Sequence, residues 1–511
     1  MRTAVSDKAL YFHYCSETDR EGLLSDKIWN DLNGEALFAR VDRTASAIGR
    51  QFLYKLLHYD RLSGVECLEK VIEEFSGDKA MRKEVQQTLQ KLDTPDAYRI
   101  ISLITEAHVL PVSWPIGWLY ILQLLPFLFL GLLYVTSSVW FVPLLVLSVV
   151  GNLWLHYRNK SWMQTYSFSI PCLWRLLKLS GRLLRYPFAQ TVDGNIADTL
   201  KTLRPLQKKL AVFRFSVRLE SDMAILAWFV IEILNILLLR EVISVAKAFR
   251  LLRGKRQELH TVFCFWGMVD ILCSVAKLRE ELPYHTRPTD CREGESFHVG
   301  RLYHPLVEDC VPNSLTLCGQ SVLITGSNMS GKTTFIRSVG VSVLCGKVLN
   351  TCFAETFRLL RGTTFFSAIH VEDDLLEGRS LFLQEVQVMK NMLEKGEAGH
   401  RLFLLDELFK GTNTIERIAI AKAVLSALAK HGNIVFASTH DIELASLLAD
   451  QYSLYHFCEN VSDNKLQFDY LLKPGPVTER NAIRIIELYG YPSEVIEEAH
   501  HYADSHYHPL K

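Results

Sequence analysis

The sequence of 511 residues predicts a mixed α/β protein. An all-α region that contains a transmembrane helical hairpin precedes an α/β domain with a parallel or mixed sheet and flanking helices. Three observations predict this fold class. Residues 107–157 contain no Asp, Glu, Lys or Arg. Apolar residues recur at helical spacing through residues 1–110 and 196–285. Residues 297–345 consist of short apolar runs followed by glycine turns, which is typical of α/β domains.

The composition excludes several classes of protein. The 56 Lys and Arg residues balance the 56 Asp and Glu residues, which argues against a protein that coats nucleic acid but leaves room for a local basic face. Apolar residues make up 49% of the chain, enough for large cores. The eleven cysteines form no CxxC pair, so we expect reduced thiols in a cytoplasmic setting and no disulfide framework.

The uncharged run is long enough for two membrane-crossing helices, since each crossing needs about 20 apolar residues. We predict the helices at Trp114–Val135 and Val139–Leu155, joined by a turn at residues 136–138, with residues 114–155 in contact with lipid. Tryptophan and tyrosine fall largely towards the helix ends, as in an interfacial aromatic belt. The alternative is a buried helical hairpin in a soluble core.

A basic segment follows the hairpin. Residues 158–218 contain twelve Lys or Arg and two Asp, a net charge of about +10. Such an excess marks the cytoplasmic side of a membrane protein. Docking on anionic lipid is favoured, and binding to nucleic acid or simple solvation are the alternatives. The apolar run Met223–Leu239 contains Glu232, so we interpret it as a core helix, because a carboxylate is costly at mid-bilayer.

The strongest chemical motif follows the apolar strand Ser321–Thr325 and fits G-x-x-x-x-G-K-[ST]. Its glycines let backbone N–H groups surround the β- and γ-phosphates at a helix N-terminus. Lys332 supplies a positive charge to the phosphates, and Thr333 supplies a hydroxyl group to Mg²⁺. The predicted nucleotide-binding residues are Gly326, Ser327, Asn328, Met329, Ser330, Gly331, Lys332, Thr333 and Thr334.

Two further strands end in polar residues. An apolar strand ends in Asp406 and Glu407, and we predict that Asp406 holds Mg²⁺ through water while Glu407 polarises the attacking water. The strand Asn433–Ala437 precedes His440, which can reach the γ-phosphate or the attacking water from the carboxyl end of a parallel strand. A plain surface histidine is the alternative for His440.

With these elements, residues 297–447 resemble the MutS family of mismatch-repair ATPases, relatives of the ABC ATPases. The phosphate loop with Asn328 and Met329, the segment 406–414 and the segment 438–440 carry the resemblance. The resemblance implies a P-loop ABC-type ATPase that uses ATP and Mg²⁺, with Lys332, Glu407 and His440 as catalytic residues and Thr333 and Asp406 at the metal.

In that family the ATP site is composite, and a serine of the partner subunit approaches the γ-phosphate. Ser380 is the matching position, so the resemblance implies a homodimer through the ATPase domains, with DNA as a further partner. Weaker similarity outside the ATPase region gives the remaining domains. We expect a helical core-like region at 1–110, the hairpin at 111–157, a basic juxtamembrane segment and helical lever at 158–295, the ATPase domain at 296–475 and a dimerisation segment at 476–511.

The sequence also departs from the family. The core-like segment begins near Leu37, so we expect no mismatch-reading or connector domain, and Cys310 lies near the position where an aromatic residue would stack on adenine. The expected function is a MutS-like ATPase anchored in the cytoplasmic membrane, with its ATPase domain in the cytoplasm and coupled to DNA handling. The alternative is a membrane-associated mechanochemical ATPase or ATP-dependent switch that does not act on nucleic acid.

Overall fold

The computed structural model describes residues 6–105, 116–167, 169–211, 234, 236–327, 330–360, 362–369, 381–397, 400–462, 465–477, 483, 486–487 and 490–506. The chain divides into two compact units. The helical unit comprises Met1–Arg20, Asp42–Lys55 and Leu68–Lys277. The α/β unit comprises Glu21–Val41, Leu56–Cys67 and Leu278–Lys511. The units interleave along the sequence, whereas the predicted domains follow one another in chain order and stay predictions.

The helices and strands have the following bounds. The helices are α1 Leu10–Thr18, α2 Asp26–Asp31, α3 Gly34–Val41, α4 Ala47–Leu57, α5 Glu69–Gly77, α6 Lys79–Leu89, α7 Ile100–Thr105, α8 Ile116–Thr136, α9 Phe141–Ser167, α10 Ser169–Leu183, α11 Phe188–Val192, α12 Ile196–Leu210, α13 Arg240–Leu252, α14 Arg256–Glu281, α15 Lys332–Leu349, α16 Leu381–Gly396, α17 Thr414–Leu428, α18 Ile442–Leu448 and α19 Ser493–His506. The strands are β1 Phe297–Leu302, β2 Asn313–Leu317, β3 Ser321–Thr325, β4 Thr356–Leu359, β5 Phe365–Ala368, β6 Leu402–Asp406, β7 Ile434–Thr439, β8 Tyr452–His456, β9 Glu459–Ser462, β10 Lys465–Phe468 and β11 Lys473–Pro474.

Helices α8 and α9 form the predicted hairpin. Both are long and apolar enough to cross a membrane, and only 11% and 17% of their apolar windows are buried within the protein. The second helix was expected to end at Leu155, which is wrong, because it continues to Ser167. Hydropathy marks where an apolar run ends, whereas the polar residues beyond it still form helical hydrogen bonds. Residues 114–115, 223–233 and 235, which include Glu232, lie outside the described residues.

Helix α14 is a third helix that is long and apolar enough to span a membrane, but 78% of its window is buried within the protein. Its Asp270 accepts hydrogen bonds from the backbone N–H groups of Ala45 and Ser46, both at 2.8 Å, and from the Ser46 hydroxyl at 2.5 Å. A Cβ atom at Gly49 would lie 2.1 Å from the Asp270 carboxylate, so only glycine allows this approach. Residues 45–49 and Asp270 thus meet in the core of the helical unit.

The main sheet of the α/β unit places three strand ends side by side. Among the described residues its six strands have the order β11-β8-β3-β7-β6-β5, with β11 antiparallel and the others parallel. The register pairs Thr325 with Thr439 and Asp406 with Ser438. The carboxyl ends of β3, β6 and β7 therefore meet at one edge, where the three predicted motifs begin.

Buried apolar side chains cover the sheet, as expected for parallel strands between helices. All five residues of β3 and all six of β7 are buried. Phe403 and Val435 belong to a core cluster with Met389 of α16 and Leu425 of α17. An antiparallel sheet with the order β2-β1-β4 and the hairpin of β9 and β10 complete the unit. The predicted mixed α/β class is confirmed.

No pattern in the sequence predicts that residues 21–41 and 56–67 join the α/β unit. Buried Asp31 in α2 accepts hydrogen bonds from the Ser367 hydroxyl at 2.6 Å and the Ile369 N–H at 3.0 Å, at the end of β5. Asp60 pairs with buried Lys347 of α15 and accepts from the Phe365 N–H at 3.1 Å. These polar contacts fix the two segments to the sheet and to the helix that follows the phosphate loop.

We expect Asp270→Ala to destabilise the helical unit. The substitution removes the acceptor of the buried Ser46 N–H and of the partly buried Ala45 N–H, at a cost of about 3 kcal/mol in the free energy of unfolding. Thermal unfolding of the purified full-length protein should show a lower transition temperature. Asp198→Ala, which removes an exposed carboxylate from α12, is the control and should leave it unchanged. Equal transition temperatures for the two variants would contradict the anchoring role of Asp270.

Candidate nucleotide site

The phosphate loop connects β3 to α15 and turns at two glycines. Gly326 and Gly331 have φ angles of +138° and +110°, which other residues rarely adopt. A Cβ atom at Gly326 would lie 2.4 Å from the Phe457 carbonyl oxygen, so the neighbouring backbone also requires glycine. The Ser330 hydroxyl donates to the Ser327 carbonyl oxygen at 2.8 Å and closes the loop. Asn328 and Met329, both predicted to bind nucleotide, lie outside the described residues.

Lys332 begins α15 with a buried ammonium group. Its Nζ donates to the carbonyl oxygens of Gly326 and Ser327, both at 2.7 Å. Burial lowers the pKa of Lys332 to about 8, although the carboxylates of Glu407 and Asp406 act to raise it. The lysine therefore stands inside the loop, where a phosphate group would find both a positive charge and the N–H groups of a helix N-terminus.

Thr333 and Asp406 are neighbours, as the sequence predicted. The Thr333 hydroxyl donates to Oδ2 of Asp406 at 2.6 Å, and the Ser438 hydroxyl donates to Oδ1. A hydroxyl oxygen beside a carboxylate is a donor set that suits Mg²⁺. Sequence reasoning gave Ser438 no role; its signal was its place at the end of the strand beside β6.

Glu407 follows β6 in a left-handed turn with φ of +50°. Its N–H donates to the Ser438 carbonyl oxygen at 3.0 Å. One carboxylate oxygen contacts Nε2 of His440, and the other contacts Nζ of Lys410 at 2.6 Å. Partial burial acts to raise the pKa of Glu407, but the hydrogen bonds and charges of His440 and Lys410 outweigh it and lower the pKa to about 2. Glu407 is therefore a carboxylate at neutral pH.

His440 links the phosphate loop to Glu407. Its Nδ1 lies 2.9 Å from the carbonyl oxygen of Gly326, and its Nε2 faces the Glu407 carboxylate. Because both partners are acceptors, the ring donates to both only when each nitrogen carries a proton. The side chain is 39% exposed, yet these contacts set it apart from a plain surface histidine.

One ion pair and one carboxylate that accepts from backbone N–H groups hold the loops next to Glu407 and His440. Arg417 of α17 pairs with Asp441 through two hydrogen bonds of 2.9 and 2.6 Å, which fixes the residue next to His440. Buried Glu385 of α16 accepts from the N–H groups of Lys410 at 3.1 Å and Gly411 at 3.4 Å. Sequence reasoning assigned no role to Lys410, Arg417 or Glu385, because charged residues on helices and loops carry no signal of their partners.

A pocket of about 390 Å³ opens beside Thr333 and Thr334. Cys310 lines one part of it, and the aromatic rings of Phe457 and Tyr470 line another. Cys310 lies where the sequence led us to expect an aromatic residue beside adenine. The structure supplies aromatic side chains from a different part of the chain. Ser380, the predicted serine for the partner site, lies outside the described residues.

Comparison with known proteins agrees with this geometry. A family model of MutS domain V matches residues 322–506, which contain β3, the phosphate loop, Asp406, Glu407 and His440. Residues 322–506 of this chain are therefore similar to MutS domain V. The MutS resemblance that the motifs gave is thereby confirmed.

The chain is also similar to part of several DNA mismatch repair proteins named MutS. The chain is 32% identical over 251 residues to the DNA mismatch repair protein MutS of Thermus thermophilus, covering 48% of this chain and 30% of the relative. It is 31% identical over 240 residues to that of Natronomonas pharaonis and 30% identical over 242 residues to that of Lactobacillus acidophilus. These two matches each cover 45% of this chain and 28% of the relative. The chain therefore matches less than a third of the length of these MutS relatives.

The lowered pKa of Lys332 predicts a pH-dependent affinity for ATP in the MutS-type domain. Above pH 8 the free protein loses the Lys332 proton, so binding must first restore it, and we expect the Kd for ATP to rise by up to about tenfold between pH 7 and pH 9. Equilibrium binding of a fluorescent ATP analogue measures this. Lys332→Arg keeps its charge over the range and should give a flatter profile. A constant wild-type Kd from pH 7 to pH 9 would contradict the assignment.

Proposed function

We propose that this protein is a membrane-anchored MutS-type ATPase that hydrolyses ATP in a P-loop ABC-type domain. The observation that carries the proposal is the meeting of Lys332, Thr333, Asp406, Glu407 and His440 at one edge of the sheet. MutS domain V is an ATPase domain, and its match spans this edge. ATP and Mg²⁺ are the proposed cofactors.

Each residue has a role that follows from its position. Lys332 and the loop N–H groups hold the β- and γ-phosphates. Thr333 and Asp406 would hold Mg²⁺, with Ser438 orienting the Asp406 carboxylate, and this site would supply positive charge to the phosphate oxygens. Glu407 accepts a hydrogen bond from the attacking water and orients it towards the γ-phosphate. His440 donates to Glu407 and stands close enough to the loop to sense the γ-phosphate.

Hydrolysis requires Glu407 to exchange partners. In the described conformation its two carboxylate oxygens contact His440 and Lys410, and the pKa of about 2 makes it a weak base. Release of the Lys410 contact would free one oxygen for water and raise the basicity of the carboxylate. We propose that this release accompanies closure of a homodimer through the ATPase domains, in which Ser380 of the partner subunit completes the site.

The hairpin supplies the membrane anchor in this proposal. Trp118, Tyr134 and Trp140 are 58%, 88% and 83% exposed, and they stand near the ends of α8 and α9, where an aromatic belt contacts the interface. The excess of basic residues after the hairpin supports an orientation in which the ATPase domain lies on the cytoplasmic side of the cytoplasmic membrane. The low burial of both apolar windows favours a lipid environment over the core of a soluble domain.

Two alternative functions can be proposed for ATP hydrolysis by this protein. The relatives are DNA mismatch repair proteins, which supports a role in DNA handling near the membrane. A mechanochemical ATPase or switch that does not act on nucleic acid is the alternative. The net charge of about +10 in residues 158–218 favours it, because such a segment can dock on anionic lipid. Binding of duplex, mismatched and branched DNA to the full-length protein separates the two, because contacts to phosphates weaken steeply with salt.

We expect Glu407→Gln to reduce kcat for ATP hydrolysis by at least about a hundredfold with little change in ATP binding, because the amide keeps the shape but cannot orient water as a carboxylate does. Steady-state phosphate release from the full-length protein measures kcat. Glu394→Gln, an exposed position on α16, is the matched control. A Glu407→Gln protein that hydrolyses ATP at the wild-type rate would contradict the proposed mechanism.

We expect the full-length protein to stay in the membrane pellet after extraction with alkaline carbonate, because a spanning hairpin is held by its apolar surface and not by charge. Exposed Cys67 and Cys318 of the α/β unit should react with a membrane-impermeant thiol reagent only after the cells are opened. Release into the supernatant would contradict the anchor. Labelling of these cysteines in intact cells would contradict the proposed orientation.

A further inference from the structure

A groove between α10 and α12 in the helical unit carries a concentrated positive charge. It has a volume of about 350 Å³, and its cations are Lys178 from α10 and Lys201 and Arg204 from α12. Lys201 and Arg204 are three residues apart and so share one helix face. Gln207 adds a neutral polar group, and Gly181 leaves space between the helices.

The cations of the groove face no negative charge from its walls. The described residues that line it include no carboxylate. The Lys178 ammonium group lies 5.0 Å from the centre of the Trp174 ring, a contact that orients it without neutralising it. Lys178, Lys201 and Arg204 line the same groove, and like charges repel one another unless an anion binds between them, so the groove is suited to an anionic group.

The floor of the groove is apolar. Leu177 and Leu203 are buried beneath the cations, and Leu184 and Leu200 are partly exposed at its sides. No aromatic residue lines it among the described residues, so it lacks the rings on which unpaired bases stack. A cationic rim above an apolar floor matches a phosphate group attached to a glycerol and acyl chains better than it matches an extended nucleic acid.

Packing within the helical unit connects a helix of the groove to the base of the hairpin. Helix α12 contacts α13, and α13 packs through Val242 and Ile243 against Leu119 and Leu155, which lie at the open end of the hairpin. Lys247 of α13 lies 5.1 Å from the centre of the Tyr120 ring at the same level. If the hairpin spans the bilayer, this end stands at the cytoplasmic headgroup layer.

We propose that the groove between α10 and α12 binds the phosphate headgroup of an anionic phospholipid through Lys178, Lys201 and Arg204. The inference rests on the proposed membrane anchoring. It adds a defined lipid site to a basic segment that composition alone characterises only by its charge. A bound headgroup would hold α10 against α12 beside the membrane and so couple the helical unit to the lipid composition of the bilayer.

The test uses the full-length protein in neutral detergent, titrated with short-chain phosphatidylglycerol, phosphatidylcholine, inorganic phosphate or duplex DNA. Native mass spectrometry and thermal shift report binding. We expect phosphatidylglycerol to bind, and the triple variant Lys178→Gln, Lys201→Gln and Arg204→Gln to weaken its affinity by about tenfold or more. The matched control neutralises Lys70, Lys83 and Lys91, exposed cations of the same unit outside the groove, and should bind as the wild type does.

Several outcomes would overturn the inference. They are equal affinity for phosphatidylcholine, equal affinity for inorganic phosphate, unchanged phosphatidylglycerol binding in the groove variant, and a groove variant that loses only DNA binding. The groove lies outside the nucleotide site, so both variants should keep the wild-type rate of ATP hydrolysis, and an unchanged unfolding temperature in the absence of lipid verifies the folding of the helical unit. A wild-type protein that resists carbonate extraction but shows no preference for anionic lipid would refute the groove site and leave the membrane anchor intact.

Discussion

Parallel pairing of β3, β6 and β7 is the constraint on which the nucleotide site depends. The register that pairs Thr325 with Thr439 and Asp406 with Ser438 brings three segments from distant parts of the chain to one edge. A shift of one residue would turn each of these side chains to the opposite face of the sheet. The strands are almost continuously apolar and buried on both faces, so any other register would force the side chains between the sheet and its helices to repack.

The same edge concentrates charges of both signs in a small volume. Buried Lys332 donates to the carbonyl oxygens of its own loop, and Glu407 is held between His440 and Lys410. Charges in such a setting interact more strongly than they would in water. The contacts of Lys332 and Glu407 therefore stabilise the described conformation. ATP must replace some of these contacts before it can be hydrolysed. His440 is well placed to transmit that replacement, since it contacts both the phosphate loop and Glu407.

The helical unit buries its apolar side chains in one part and exposes them in another. Around Asp270 it has the kind of core that soluble domains have, and the buried carboxylate accepts hydrogen bonds from Ala45 and Ser46. In α8 and α9 large apolar side chains face outward, which is costly in water and favourable in lipid. The hairpin also contains the polar residue Asn152, whose amide nitrogen donates hydrogen bonds to the carbonyl oxygens of Leu122 and Leu237 at 3.3 and 3.2 Å. The proposed headgroup groove lies in the same unit as these exposed apolar helices.

The sequence by itself determined the parts of this protein whose signals are local. The phosphate loop is nine consecutive residues, the strand before Asp406 is a continuous apolar run, and the hairpin is a long uncharged stretch. Only the tertiary structure decided that Lys410 contacts Glu407, that Ser438 orients Asp406, and that Asp31 joins residues 21–41 to the end of β5. These contacts join residues through the turns and strand register of the folded chain. A charged side chain on a loop or helix looks the same in the sequence whether it meets solvent or a partner, so no periodicity or spacing could have shown them.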